Sequence, residues 1–328
     1  MSSKRRIWSI VLVLTVMIIA VGESGLKLPH FPRPVDAVRL SYLKFNTVPE
    51  LPWGQIFLVA SGLERFPFFA GELVRGNVKL ARRSGTDACP YVYSTPWGEV
   101  HGGLQDNEII EGVLNEMLDL KVYENEHAAV NRGDVVLDVG AHLGVFARYA
   151  FLKGASRIVA YEPEPHNVAC LKQTFAREIT DGTLVLEAAA VSGSPGTISL
   201  LQHPNSSMNR TLERDVVPGL RNWEKKVFKL WMKAGAQPQV IEVPAVTIDD
   251  SLKRLKVEKV DFVKMDIEGA ERYALAGAQR MMKENRPRMV LCIYHRPDDP
   301  KVLREIVMTA QPSYQLAEDG MHHSLFLY

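Results

Sequence analysis

The chain has 328 residues, a net charge of +1, 46% hydrophobic residues and 23% charged residues. This composition is that of a globular protein with enough apolar residues for a core, and it excludes the global basic field typical of nucleic-acid-binding proteins. Three scattered cysteines, Cys89, Cys170 and Cys292, are too few for a disulfide framework, and no Cys-x-x-Cys or Cys/His motif predicts structural zinc. We interpret Cys170 and Cys292 as small core residues.

The chain begins with a basic segment, Lys4–Arg6, which is followed by an apolar run, Ile7–Gly22. Sixteen residues at about 1.5 Å rise span roughly 24 Å, somewhat short of a ~30 Å hydrocarbon core, although flanking residues can extend the span. We interpret residues 1–22 as a single-pass membrane anchor, which predicts a membrane location. The alternative is a cleaved signal peptide with its cleavage site before Glu23, which predicts an exported protein.

Residues 23–105 are interpreted as a linker and an N-terminal extension, because prolines are frequent in their first half. The main domain is predicted over 106–328, and two helices are expected between 106 and 130. In the first of these, apolar residues recur at helical spacing: Ile109, Ile110, Val113, Leu114 and Met117.

Strands and helices then alternate along the chain. The predicted strands are DVVLDVG, RIVAYEP, LVLEAAAV, KVDFVKMD and RMVLCIYH, and SYQLAE and HSLFLY are predicted to close the chain as a hairpin. A helix broken at Gly277 is expected after KVDFVKMD. The pattern predicts an α/β fold with a mostly parallel central sheet, helices on both faces and a C-terminal antiparallel hairpin. Ligands of such sheets bind outside the carboxyl ends of the strands.

A lysine- and arginine-rich insertion at about 203–240 interrupts this alternation. Four of its apolar residues share one helical face, which predicts a basic amphipathic helix: Leu220, Trp223, Val227 and Leu230. Two interpretations stay open: a helix packed on the domain, or a lid or surface that contacts lipid or an acidic substrate.

The first chemical motif is a strand, a glycine loop and a helix, VVLDVGAHLGVFARYA. Gly140 is predicted to turn the chain and Gly144 to permit close approach, so that the loop through Ala141 presents backbone N–H groups to a ligand. A dinucleotide-binding loop would have its second glycine where His142 stands. A tight pyrophosphate site, and with it a nicotinamide oxidoreductase, is therefore disfavoured.

Two acids flank this loop. Glu162 ends the next strand, 18 residues after Gly144, where a carboxylate can accept both hydroxyls of a ribose. Asp138 precedes the loop, and we expect it to fix the turn or to receive a ligand ammonium through water. Together these groups suit a nucleoside that carries a positively charged amino-acid tail, which describes S-adenosylmethionine. The alternative is an ordinary tight turn in which Glu162 is a solvated strand end.

Five segments, in chain order, resemble the FkbM family of S-adenosylmethionine-dependent methyltransferases: LDVGAHLGVFARYA, VAYEPEP, VPAVTIDDSL, VDFVKMDIEGAE and CIYHRPDD. The resemblance begins at about Asp134 and implies a Rossmann-like class I methyltransferase fold with S-adenosylmethionine as cofactor. It also implies O-methylation, with sugars or hydroxyl groups of natural products as typical acceptors. His142 stands where the family commonly has asparagine, and the first 130 residues are not covered.

The segment KMDIEGAE supplies candidate catalytic residues at a strand end. Lys264 and Asp266 share one face of a strand, and Glu268 shares it only if the strand continues. We expect Asp266 to position or deprotonate the acceptor, and Lys264 either to bind the acceptor or to pair with a carboxylate. The alternative is a capping and salt-bridge cluster, with Glu271, that braces the turn at Gly269.

His295 closes the strand RMVLCIYH and is a candidate general base near neutral pH. Asp266, His295 and Asp298 could instead form a metal site of the kind found in magnesium-dependent catechol-type O-methyltransferases. The full ligand set of those enzymes is not evident, so no metal is predicted.

The sequence therefore predicts an O-methyltransferase that uses S-adenosylmethionine and acts on a hydroxyl of a sugar, glycolipid or natural product. Its expected partners are a small-molecule or glycan acceptor and, through the N-terminal segment, a membrane, but no nucleic acid. The competing interpretation is a non-catalytic binding or scaffold domain that keeps the fold.

Overall fold

The computed structural model describes residues 78–83, 86, 89–103, 106–118, 121–202, 210–211, 239–319 and 324–328. The described residues belong to one compact unit, which runs from Gly76 to Tyr328. Residues 1–22 and most of the insertion at 203–240 lie outside the described residues, as does most of the linker. The domain limits predicted from the sequence stay predictions.

The fold is built on a seven-stranded central sheet, counted over the described residues. Its strands, in chain order, are β4 (Val135–Val139), β5 (Arg157–Tyr161), β6 (Leu184–Glu187), β11 (Phe262–Met265), β12 (Arg288–Cys292), β13 (Leu316–Asp319) and β14 (Ser324–Leu327). Across the sheet the order is β13-β14-β12-β11-β4-β5-β6. Strand β14 is antiparallel to both its neighbours, and the other adjacent strands are parallel. The predicted fold class and the predicted C-terminal hairpin are confirmed.

Helices connect the strands of this sheet, as parallel pairs require, and a further helix precedes β4. They are α1 (Asp106–Leu118), α2 (Val145–Leu152), α3 (Pro165–Thr174), α4 (Ala176–Thr180), α5 (Ile248–Arg254), α6 (Glu271–Ala276), α7 (Gln279–Asn285) and α8 (Asp299–Ala310). The predicted break at Gly277 is confirmed, because Gly277 caps α6 and α7 begins two residues later.

Both faces of the sheet are buried, and alternate residues of each strand serve opposite faces. Val136 and Phe262 belong to one apolar cluster, whereas Leu137 and Val263 belong to the other. The register sets Lys264 of β11 opposite Asp138 of β4. Two charged side chains therefore lie next to each other inside the sheet, on the face of the first cluster.

A three-stranded antiparallel sheet precedes this domain core: β1 (Lys79–Arg83), β2 (Tyr91–Thr95) and β3 (Gly98–Gly102). Tyr93 and Val100 of this sheet are buried in the same apolar cluster as α2 and α3. Cys89, just before β2, forms a disulfide with Cys170 of α3. Cys170 is buried in the core as expected, but it is not a free thiol, whereas Cys292 is both free and buried.

A second, four-stranded sheet lies in the insertion between β6 and α5. It has the order β7-β10-β8-β9, where β7 is Ala190–Val191, β8 is Gly196–Gln202, β9 is Arg210–Thr211 and β10 is Gln239–Val246. The predicted strand LVLEAAAV is thus divided between two sheets, β6 and β7. The four apolar residues that predicted a basic amphipathic helix lie outside the described residues.

One predicted helix is replaced by turns. Residues 121–130 contain no helix, because the side chain of Asn125 accepts hydrogen bonds from the backbone N–H groups of His127 and Ala128. Such local side-chain bonds compete with helix formation. The chain thereby turns back toward the carboxyl edge of the central sheet.

The predicted location in a membrane is corrected. Among the described residues, no helix combines the length and the apolar character needed to cross a bilayer. The longest of these helices has 13 residues and would span about 20 Å of a ~30 Å hydrocarbon core. Residues 1–22, on which the prediction of an anchor rests, lie outside the described residues.

Candidate active site

The candidate site lies where β4, β5, β11 and β12 end. From β4 the order of the sheet runs to β5 on one side and to β11 on the other. In open α/β sheets a reversal of this kind leaves a crevice at the carboxyl ends of the strands, and ligands bind there. Most residues predicted for the site follow these four strands.

The glycine loop after β4 is pressed against the end of β11. Gly140 has φ +88°, and a Cβ at this position would overlap the backbone carbonyl oxygen of Asp266. The N–H of Asp266 in turn donates to the carbonyl of Val139 at 3.1 Å. Only glycine fits here, because of the positive φ and because the backbone after β11 approaches so closely.

The loop is also tied to β5. The N–H groups of Gly140 and Ala141 both donate to the carbonyl of Tyr161, at 3.1 and 3.0 Å. A Cβ at Gly144 would overlap the ring of Phe175, so this glycine lets α2 pack closely. His142 adopts a left-handed conformation with φ +51°, and its N–H donates to Glu162 Oε2 at 2.8 Å.

Glu162 lies at the end of β5 and is only 5% exposed. Its Oε1 accepts from the N–H of Glu164 at 3.0 Å and from Asn167 Nδ2 at 3.3 Å. Burial raises the pKa of Glu162 to about 7, although these hydrogen bonds oppose the shift. Further O–H donors would stabilise this buried carboxylate in its charged form.

The expected S-adenosylmethionine site can be tested against these contacts. Each carboxylate oxygen offers two lone pairs, and three of the four are taken by His142, Glu164 and Asn167. Glu162 Oε2 can therefore still accept one further hydroxyl group, such as one of those of a ribose, whereas the sequence predicted that it would accept both. The loop Gly140–Gly144 is held immediately beside it. The residues present therefore fit the cofactor, with Glu162 beside the loop as the group that would hold it. The predicted presentation of loop N–H groups to a ligand is corrected at Gly140 and Ala141, because both N–H groups donate to Tyr161.

Lys264 and Asp138 form a buried ion pair beneath this loop. Lys264 Nζ lies 3.3 Å from Asp138 Oδ1 and donates to the carbonyl of Gly140 at 2.6 Å. Burial raises the pKa of Asp138, and the charge of Lys264 opposes that shift. Of the two predicted roles of Lys264, the contacts favour pairing with a carboxylate. Asp138, its partner, lies beneath the loop.

Asp266 follows β11 at the same edge of the sheet. Its Oδ2 accepts a hydrogen bond of 2.6 Å from the hydroxyl of Tyr123, and its side chain is 18% exposed. Burial would raise the pKa of Asp266, but the charges of His295 and Lys264 outweigh it, so the pKa lies below its usual value. Asp266 is therefore an anion at neutral pH.

His295 connects three acids behind this edge. Its Nδ1 lies 2.9 Å from Glu271 Oε1, and its Nε2 lies 3.5 Å from Asp266 and 3.7 Å from Glu268. Burial would lower the pKa of His295, but Glu271, Glu268 and Asp266 together raise it to about 9. The imidazole is thus a buried cation at neutral pH, which differs from the predicted general base.

Glu268 stands where the backbone turns out of β11. It has φ +56°, an unusual conformation for a residue with a side chain, and its carboxylate is 22% exposed. Strained residues of this kind persist where the surrounding structure fixes them, often at functional sites. Asp266 and Glu268 are therefore the partly exposed members of the cluster, with His295 behind them.

Three further residues that sequence reasoning missed surround the cluster: Glu116, Tyr123 and Tyr294. Burial and then the charges of Asp266 and Glu268 raise the pKa of Glu116 to about 8. Glu116 lies on α1 and Tyr123 in the following turn. No sequence signal connected either residue with strands that begin more than a hundred residues later.

The metal ligand set considered from the sequence does not assemble. Asp298 pairs with Arg272 at 2.8 Å instead of joining His295. Asp266, Glu268 and His295 do offer ligand atoms within 4.8 Å of one another. A charged histidine between two carboxylates accounts for that proximity.

A family model described as the methyltransferase FkbM domain matches residues 138–315. Among curated proteins, the 31-O-demethyl-FK506 methyltransferase FkbM of Streptomyces tacrolimicus is 26% identical over 178 residues, which are 51% of this chain and 68% of that protein. The 2-O-methyltransferase NoeI of Sinorhizobium fredii is 25% identical over 182 residues, which are 55% of this chain and 72% of that protein.

Among solved structures, a methyltransferase FkbM from Methylobacillus flagellatus KT is 19% identical, with a TM-score of 0.42. The match covers 69% of this chain and 56% of that one. At this level the superposition adds nothing to the assignment. The family model matches more than half of the chain and confirms both the resemblance and S-adenosylmethionine as cofactor. The chain therefore belongs to the FkbM family of methyltransferases.

Proposed function

We propose that this methyltransferase transfers its methyl group to a hydroxyl oxygen, and that the acceptor is a sugar or another polyhydroxylated natural product. The names of two relatives, a 31-O-demethyl-FK506 methyltransferase and a 2-O-methyltransferase, describe O-methylation. Their identities of 26% and 25% support the type of chemistry more than any particular acceptor.

One observation carries the proposal: the loop that would hold the methyl donor is in direct contact with Asp266, the acid that would bind the acceptor. Gly140 of the loop abuts the backbone of Asp266, and the Asp266 carboxylate is anionic and partly exposed. A group held by the loop and a hydroxyl bound to Asp266 would therefore be neighbours. Close alignment of the two reactants is the main requirement of an in-line displacement.

On the donor side, Glu162 and the loop Gly140–Gly144 would bind and orient the cofactor. Bound S-adenosylmethionine supplies an activated methyl group on a sulfonium. Lys264 fixes the loop through the Gly140 carbonyl, and Asp138 neutralises its charge inside the sheet. These two residues act on the loop beneath the cofactor.

On the acceptor side, Asp266 would accept the hydrogen bond of the incoming hydroxyl and take its proton as the new bond forms. Tyr123 orients the carboxylate through its short hydrogen bond. Glu268, also partly exposed, would bind a second hydroxyl of the acceptor. His295, fixed by Glu271, would hold both carboxylates in place from behind, and its charge lowers the pKa of Asp266.

The proposal is tested with the full chain, labelled S-adenosylmethionine and a panel of methyl glycosides and hydroxylated macrocycles. We expect labelled methyl ethers, identified by mass spectrometry and by the chemical shift of the new O-methyl group. Label on a nitrogen, carbon or sulfur atom would contradict O-methylation. Cofactor binding without transfer to any of these acceptors would instead favour the non-catalytic interpretation.

A further inference from the structure

A second group of reactive side chains lies outside the candidate active site, between the three-stranded sheet, α1 and α3. It consists of Cys89, Cys170, His166 and Asp106, and we name it the Cys–His–Asp cluster. Cys89 and Cys170 are completely buried, and Asp106 is 7% exposed. The proposed methyl transfer uses none of these residues.

Three of the four donor atoms of this cluster converge, and Asp106 joins them through its contact with His166. One ligand atom each from Cys89, His166 and Cys170 lies within 4.8 Å of the other two. His166 Nε2 is 3.6 Å from Cys170 Sγ and 3.4 Å from Asp106 Oδ2. His166 and Cys170 are four residues apart on α3, the spacing that sets two side chains on one face of a helix.

The disulfide between Cys89 and Cys170 explains why the two sulfur atoms are close. It does not explain why an imidazole nitrogen is directed at them. Asp106 Oδ2 lies against that nitrogen and also accepts a hydrogen bond of 2.6 Å from the N–H of Gly103. Two sulfurs, one nitrogen and one oxygen form the mixed donor set that zinc accepts in tetrahedral sites. In a compartment that keeps thiols reduced, the same two cysteines would be available as metal ligands.

We propose that, when the disulfide is reduced, the Cys–His–Asp cluster binds a zinc ion, with Cys89, Cys170 and His166 as ligands and Asp106 in the fourth position. Reduction transfers two electrons and two protons to the disulfide from a dithiol, which becomes a disulfide itself. The two thiols then lose their protons to solvent as their thiolates bind the metal. In the reverse step a second disulfide takes two electrons from the two thiolates by thiol–disulfide exchange and becomes a dithiol with two protons from solvent, which restores the Cys89–Cys170 disulfide and releases zinc.

The location gives such a site a structural role. Cys89 belongs to the segment that leads into β2, Asp106 begins α1, and His166 lies in the first turn of α3. Zinc would therefore fasten three elements, whereas the disulfide fastens two. The charges of Asp106 and His166 both act on His142 of the loop Gly140–Gly144, so the cluster also lies near that loop.

The test uses the full chain, reduced by a phosphine that is converted to its oxide with oxygen from water, in metal-free buffer. Zinc is titrated against a chromophoric chelator, and cobalt is titrated as an optical reporter. We expect a single equivalent of zinc, the thiolate-to-cobalt charge-transfer band of a tetrahedral site, and loss of binding after reoxidation. These readouts need neither methyl donor nor acceptor, so their outcome is independent of the proposed methyl transfer.

His166→Ala is the informative variant, because it keeps both cysteines and therefore the disulfide that supports folding. We expect it to bind zinc at least about tenfold more weakly, with an unchanged circular dichroism spectrum. The matched control is His127→Ala, a partly exposed histidine outside the cluster, which should bind like the parent protein. Failure of the reduced parent protein to compete with the chelator, or equal zinc affinity in His166→Ala, would overturn the proposal.

Discussion

His295 and Glu271 form a buried pair, with 2.9 Å between Nδ1 and Oε1 and side-chain exposures of 1% and 0%. The pair lies directly behind the two partly exposed carboxylates of Asp266 and Glu268. Its charge state therefore determines whether those carboxylates face a cation or a neutral ring.

The first prediction concerns stability against pH. The pKa of His295 is about 9 in the folded protein and about 6.5 in an unfolded chain. Because the folded value is higher, protonation of His295 stabilises the fold fully below about pH 6.5, and the contribution is lost as the pH rises through about 9. The shift corresponds to a contribution on the order of 3 kcal/mol.

Urea unfolding of the parent protein and of His295→Gln between pH 6 and 10 tests this. The difference in unfolding free energy between the two should shrink as the pH rises through 9. His127→Gln, which removes a partly exposed histidine, should follow the parent protein throughout. A constant difference between the parent protein and His295→Gln would show that His295 is not a buried cation.

The second prediction concerns the ion pair of Lys264 and Asp138. Lys264→Met leaves a buried carboxylate without its partner, and should lower the free energy of unfolding by about 3–5 kcal/mol. Lys264→Met combined with Asp138→Asn should recover part of that loss, because no unpaired charge is left. Denaturant titration of the two single variants and the double variant measures the coupling.

The control for this cycle is Lys259→Met, since Lys259 pairs with Asp261 while its side chain is 75% exposed. An exposed pair contributes about 1 kcal/mol or less. Equal costs for Lys259→Met and Lys264→Met would contradict a buried ion pair beneath the loop.

The third prediction concerns Gly140. Gly140→Ala should destabilise the protein by about 3 kcal/mol or more, because the new Cβ overlaps the carbonyl oxygen of Asp266 and the backbone must shift. Gly182→Ala is the matched control: Gly182 also has a positive φ, of +79°, but a Cβ there meets nothing within 4 Å. It should cost only about 1–2 kcal/mol for the left-handed backbone. Similar costs at the two positions would contradict the close approach of Gly140 to the Asp266 carbonyl.

The fourth prediction concerns cofactor affinity. Glu162→Gln should weaken the binding of S-adenosylmethionine at least about tenfold in calorimetry, because hydrogen bonds to a charged group contribute about 1.5–3 kcal/mol. Glu126→Gln removes an acid whose side chain is 84% exposed and should leave the affinity unchanged. Thermal melts of both variants would separate lost binding from lost folding, and unchanged affinity in a folded Glu162→Gln protein would refute its role.

The sequence allowed much of the fold to be predicted, because the regular alternation of apolar strands and helices determines a parallel sheet. The same reasoning brought Asp266, Glu268 and His295 to one edge, since β11 and β12 are neighbours whose carboxyl ends coincide. It did not show that Lys264 is opposite Asp138, because that contact depends on the register between β11 and β4.

Contacts between residues far apart in the sequence could not be predicted. Glu116 and Tyr123 approach Asp266 from α1 and the turn after it, and nothing in the local pattern of either segment indicates this. Cys89 and Cys170 are 81 residues apart, so their pairing depends on how the three-stranded sheet packs against α3. Sequence patterns describe which face a residue shares with its neighbours, whereas these contacts depend on how separate elements pack.

The most direct test of the account is turnover by Asp266→Asn, measured as labelled methyl transferred from S-adenosylmethionine to the methyl glycoside and macrocycle panel. We expect kcat to fall by about 10²–10⁴-fold, the range for loss of a general base, while calorimetry shows unchanged cofactor affinity. Glu258→Gln, which removes an exposed acid near the opposite end of β11, should retain full activity. Parent-like turnover by Asp266→Asn would contradict the assignment of Asp266 as the residue that takes the proton of the acceptor hydroxyl.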